Sequence, residues 1–227
     1  MPYPRLTKCM PDETRHNPFR LLHKALRFGH CRMLLELGAQ DFNDDPAAAR
    51  LLLRLVQQLD LYRAVAEARQ EALLATLAAH GLEVAATTCE DHLSHLTALR
   101  ELESLVRAVN VAAPQRRRPA GRSIYRCFAL YVAADMERMD EDETMLLTAL
   151  HQTLGDDDLR MIEGRSFGDL PQGHLQLLTR RLLPGLSSAE IEALLSVLQH
   201  HMEPTRYAGS LDAIFRPLLG PGNFVAA

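Results

Sequence analysis

The chain has 227 residues, of which 47% are hydrophobic, 5% aromatic and 24% charged, with a formal net charge of −4. That is long enough for a sizeable core without clearly requiring two independent domains, and the negative balance excludes a general nucleic-acid binder, which needs a basic face to displace counterions. Sparse aromatics beside abundant Leu and Ala favour helix over sheet, so an all-α fold is expected.

Residues 1–16 are polar and contain two early prolines, Pro2 and Pro4, which reads as an N-terminal arm. Asn17-Pro18 is a helix-start signal, a capping side chain followed by a proline at the first helical position. The apolar face that follows runs Phe19, Leu22, Leu26, Leu34, Leu37, with His23 and His30 on or beside it, and Gly38 ends it. Asp44-Asp45-Pro46 opens a second helix that reaches about Gly81, a length normal for a bundle. A third helix starts after Thr87-Thr88 and carries His92 and His95 on its apolar stripe. Ala112 to Arg122 reads as a loop, because Pro114, Pro119 and Gly121 surround Arg116-Arg117-Arg118. The fourth helix then covers Ser123 to Thr153, with Phe128, Val132, Asp135, Met139, Asp142 and Leu146 in register. Asp156-Asp157-Asp158 caps a short helix, and three more follow. One covers Pro171 to Leu183, one opens on the capping box Ser187…Glu190 and closes at His200-His201, and one covers Tyr207 to Leu219.

Four long helices with inward His and carboxylate side chains are how helical bundles build dinuclear metal sites. Several segments together resemble the bacterial hemerythrin-like (HHE cation-binding) domain family over about Asn17 to Leu147, with a looser match beyond. Asn17 to Arg27 is similar to the opening of that family's first helix, and Asp91-His92-Leu93-Ser94-His95 to its third-helix histidine segment. Leu182 to Glu190 is similar to the start of the extra C-terminal helices in one branch. The resemblance implies an up-down four-helix hemerythrin-like bundle over residues 17–165 and a C-terminal helical extension, residues 166–227, packed on it. It also implies ligand roles for His23 and for His95, with His92 as second choice.

The departures decide the chemistry. Where the family places a His and, four residues later, a Glu, helix two has Val65 and Arg69, and helix four has Arg138 and Asp142. A guanidinium stays protonated and has no lone pair for a metal. A di-iron centre is therefore not expected, and no cofactor is expected. His23, His92, His95, Asp135 and Asp142 would line a vestigial or remodelled pocket in which Arg69 and Arg138 replace the lost positive charge, with Asp135, Asp142 and Glu67 as partners. The bland readings are core histidines bonded to carboxylates, an ordinary Arg138–Asp142 helical pair, and a solvated acidic face at Asp140–Glu143.

A non-catalytic binding or regulatory protein follows, recognising an unknown protein partner or small ligand. The C-terminal helices would cover one side of the bundle or form a homodimer surface. The alternative is a remodelled iron or manganese site built from His23, His95, Asp135 and Asp142, for oxygen or nitric-oxide sensing or iron handling. A hydrolase or transferase is disfavoured, since no nucleophile elbow or phosphate loop is present. Cys9, Cys31, Cys89 and Cys127 form no CxxC pair and read as buried free thiols. With no apolar leader and no stretch able to span a bilayer, a cytoplasmic protein that does not enter the membrane is expected.

Overall fold

The computed structural model describes residues 11–43, 45–82, 86–110, 113–182 and 186–219, and the described residues are all helix and connecting turns. The long helices are α1 (Arg20–Ala39), α2 (Asp45–Ala79), α3 (Ala86–Asn110) and α4. The last runs as Pro114–Glu141, a π-helical turn Asp142–Leu146, and Leu147–Thr153. Four shorter ones follow: α5 (Asp156–Gly168), α6 (Gln172–Leu182), α7 (Ser188–His201), and α8, which runs Pro204–Ser210, π-helical Leu211–Phe215 and Arg216–Leu219.

Local signals set the ends. Asn17 Oδ1 accepts the backbone N–H groups of Phe19 and Arg20 at 2.9 and 3.2 Å and so opens α1. Gly81, at φ +68°, closes α2. Leu82 N–H reaches Leu77 O, and Gly81 N–H reaches Ala78 O, the paired bonds of a Schellman motif that needs a left-handed residue. Ser187 and Glu190 form the reciprocal capping box at α7. Glu190 also pairs with Lys24 Nζ at 3.2 Å, which ties that cap to α1. Arg15 caps the far end of α4, donating to Leu154 O at 2.8 Å and to His151 O, while its Nε and Nη2 hold Asp156.

The helices α1–α4 pack against one another, most closely as α1 with α4, α4 with α3 and α3 with α2. Side-chain contacts give their directions. His23 meets Glu143 while His30 meets Asp135, so α1 and α4 run in opposite senses. α5 lies on α2, α6 on α1, and α7 on α5. The main hydrophobic cluster is continuous across these layers, from Leu22, Leu55, Leu99 and Phe128 to Phe167, Leu178, Leu198 and Phe215. A smaller cluster joins Phe19, Leu73, Leu77, Leu147, Leu150, Leu159 and Ile162.

Three expectations are corrected. The segment expected as a loop is helical from Pro114 onward. Pro114 sits at the first helical position, where its missing N–H is harmless, and Pro119 forfeits one interior hydrogen bond. Packing outweighs that loss. Gly121 lies against the buried Phe42 ring, so closely that a Cβ there would stand 2.2 Å from it. Second, the core register beyond Asp142 passes to Leu147 instead of Leu146. The π turn adds one residue, and Leu147 N–H bonds back five residues to Asp142 O. Third, Cys31 is exposed and Cys127 only half-buried; Cys9 and the Cys89 side chain fall outside the described residues.

Among the described residues no helix is long and apolar enough to cross a membrane.

Candidate functional site

The inner faces of α1–α4 carry a buried ionic cluster. Its backbone is a set of heptad steps: His23 and His30 on α1, Asp135 and Asp142 on α4, each pair seven residues apart and therefore on one face. Because α1 and α4 are antiparallel, the two pairs oppose each other, His30 to Asp135 and His23 to Asp142. Arg138 lies three residues after Asp135 and four before Asp142, and reaches both.

Arg138 donates from Nε and Nη2 to Asp135 Oδ1, at 3.0 and 2.6 Å, and from Nη1 to Asp142 Oδ2 at 3.1 Å. Arg69, from α2, donates its Nη1 to the same Asp142 oxygen. The other Asp135 oxygen accepts from His30 Nε2 at 2.7 Å. A carboxylate can only accept, so Nε2 of His30 carries the proton. By the same reasoning Nδ1 of His23, 2.7 Å from Glu143 Oε1, is the donor of that pair. Its Nε2 then faces Asp142 Oδ2 at 3.7 Å without a hydrogen bond. Arg27 joins Glu143 from the outer side at 2.8 Å. His95 Nδ1 lies 3.3 Å from Asp135 Oδ1.

Two guanidiniums and two carboxylates make the centre of this cluster neutral, the condition under which charges survive burial. Burial opposes ionisation of Asp135. The hydrogen bond from His30 and the Arg138 charge outweigh it and hold the carboxyl far below the usual range. Asp142 behaves likewise through Arg69 and Arg138. Burial would also lower Arg138, but the two flanking carboxylates hold it above its ordinary value. Arg69 is pushed down by burial; Asp142 opposes this and Arg138 adds to it. Burial pushes His95 down to about 4, against the pull of Asp135 and with help from Arg138 and Arg69. His23 is lowered by burial as well. Both imidazoles are therefore neutral near pH 7.

Below the ions lies an aromatic floor. The His30 ring is edge-on to Tyr62 and Tyr131, with centroids 4.5 and 5.7 Å away. Gln58 donates to Gly29 O at 2.9 Å and touches the Tyr62 hydroxyl, while the buried Tyr131 hydroxyl has no protein partner among the described residues. Burial raises both phenols. The space enclosed by His23, His95, Tyr131, Asp135, Arg69 and Arg138 amounts to only about 10 Å³, barely one water. Val65 is fully packed beside it as core.

On the α2–α3–α4 side the cluster opens into a cavity of about 300 Å³. Arg69, His95, Arg138 and Asp142 form its inner wall, and His92 and Glu141 stand nearer the rim. His95, rather than His92, thus reaches the cluster.

The residues expected at the site from sequence — His23, His95, Asp135, Asp142, Arg69 and Arg138 — do come together. Glu67 does not: it is exposed outside the cluster. His30, Tyr62, Tyr131 and Glu143 are additions. His30 was signalled by its heptad spacing from His23. Glu143, expected on a solvated face, is half-buried against His23, because the π turn starting at Asp142 directs adjacent carboxylates to different partners. Among the described residues, no three His, Cys, Asp or Glu side chains converge closely enough to hold a metal ion.

Comparison of the chain with protein-family models, curated proteins and solved structures returns no match.

Proposed function

We propose that the chain is a divergent hemerythrin-like protein, an up-down four-helix bundle carrying extra C-terminal helices. In it the cradle for two metal ions has become a self-neutralising Arg–Asp cluster, and the protein acts as a non-catalytic binding or regulatory protein. The observation that carries this reading is Arg138 bound to both Asp135 and Asp142, with Arg69 on Asp142 as well. The resemblance places metal ligands at the positions of Arg69, Arg138 and Asp142. Fixed cations now engage the carboxylates that a metal would need, so the donor set does not suit a pair of dications.

Elemental analysis of the purified protein, with an absorbance scan from the near-ultraviolet to the visible, tests this. The expected result is no stoichiometric iron or manganese and no ligand-to-metal band, even after incubation with ferrous iron. Stoichiometric metal would favour instead a remodelled site using His23 Nε2, His95, Asp135 and Asp142.

A further inference from the structure

We propose that the cavity beside the Arg69–Arg138 cluster binds a small amphipathic monocarboxylate, of the medium-chain fatty-acid class, with its head towards the guanidiniums and its chain on the apolar rim. This rests on the reading of the bundle as a binding protein, and names the ligand class for that same site.

Within a cluster that is neutral overall, the unused donors of Arg69 favour an anionic head. One oxygen, Asp142 Oδ2, receives both Arg69 Nη1 and Arg138 Nη1. Arg138 has a second carboxylate in Asp135. Among the described residues Arg69 hydrogen-bonds only to Asp142, although a guanidinium offers five N–H donors. Its Cζ also stands 5.9 Å from the Phe19 ring, so of the two guanidiniums Arg69 has the fewer carboxylate partners, and it lines the cavity.

The surroundings favour a single charge with an apolar chain. Leu73, Met145 and Leu146 form the cavity's apolar wall. Gln70 and His92 are shared with an adjoining open groove lined by Leu74, Ala75 and Leu93. Met145 and Leu93 flank this path and are 63% and 61% exposed, apolar surface that an alkyl chain would cover. Glu141 at the rim and Glu67 and Glu71 along the groove repel an anion in proportion to its charge, and so a phosphate ester more than a monocarboxylate. A volume of about 300 Å³ lies at the lower end of small-molecule sites.

Calorimetric titration of the full chain with octanoate, octanol and inorganic phosphate decides the matter, with metal content measured on the same sample. Octanoate is expected to bind saturably, one per chain, while octanol and phosphate do not. Leu93→Asp and Met145→Asp, at exposed positions that leave folding intact, are expected to weaken octanoate by about tenfold or more with Tm unchanged. Arg69→Gln is expected to abolish its binding. Equal binding of octanol and octanoate, no saturable octanoate binding, or full affinity in both rim variants overturns the proposal. Stoichiometric metal would overturn the wider reading instead, and a metal-free protein that ignores octanoate overturns only the ligand assignment.

Discussion

Arg138 is the residue on which the interior charge balance turns, because among the described residues it alone donates to both aspartates. Its removal leaves Asp135 and Asp142 short of a cation inside the protein. Arg138→Ala is expected to destabilise the fold by about 3–5 kcal/mol, a penalty typical of an orphaned buried charge. At about 2–4 °C per kcal/mol for a chain of this size, calorimetry would see the shift easily, and a change of only a degree or two would refute the role. Arg138→Lys is expected to recover little, since a lysine presents one point charge where a fork spans two carboxylates.

The same residues set the pH response. His95 and His23 have lowered folded pKa values, so the unfolded chain takes up protons first as pH falls. Their contribution is complete above the unfolded value of about 6.5 and drains away as pH drops towards the folded one, about 4 for His95. Asp135 and Asp142, also lowered, add a second loss beginning near their unfolded value of about 3.9 and continuing below it. Denaturant unfolding between pH 7 and 4.5 should show stability falling with acidity by up to about 1.4 kcal/mol per unit per histidine. In His95→Gln that slope should be shallower, and an unchanged slope would remove His95 from the account.

At the scale of elements, the π turn in α4 is what reconciles two demands on one helix. Buried positions step Asp135, Met139, Asp142, then jump five residues to Leu147 before resuming at Leu150 and Leu154. Without the extra residue, either the carboxylates or the leucines would face the wrong way. Leu147→Ala should therefore cost about 2–5 kcal/mol as a core truncation, and Leu146→Ala distinctly less, by chemical denaturation. The reverse order would mean an ordinary α-helical register. The start of α4 makes a second test. Gly→Ala inside a helix ordinarily stabilises by up to about 1 kcal/mol. Gly121→Ala should instead destabilise by about 1–3 kcal/mol, because the new methyl meets Phe42.

For the molecule as a whole, one hydrophobic cluster spans the first four helices and the C-terminal ones. Phe167, Leu170, Leu175, Leu178 and Phe215 belong to the same cluster as Leu22, Leu55 and Phe128. Lys24 and Glu190 join the two parts at the surface. Thermal unfolding is expected as a single transition by circular dichroism and by calorimetry. A chain ended at residue 165 should lose cooperative melting, since the faces of α1 and α2 that α6 covers would be exposed. Two separated transitions, or a truncated chain that melts cooperatively, would show the N-terminal helices to be self-sufficient.

The sequence by itself determined the helices and most of their ends, because caps, glycine stops and apolar periodicity act within a few residues of one another. Asn17, Gly81 and the Ser187–Glu190 box each do what their chemistry requires locally. It also identified several of the buried charged residues, since His23, Asp135 and Asp142 sit on stripes that otherwise carry Leu, Val and Phe, while Arg69 and Arg138 are marked by the resemblance. Apart from the Arg138 pairs within α4, only the tertiary structure decided who pairs with whom. His30 and Asp135 are 105 residues apart, and Arg69 and Asp142 are 73 apart, so no local pattern could specify these bonds. It likewise decided that Pro119 and Gly121 lie in a helix and that Leu147 replaces Leu146 in the core. In each case the energy of packing against a distant surface, Phe42 or the α2–α5 layer, outweighs the intrinsic preference of the segment itself.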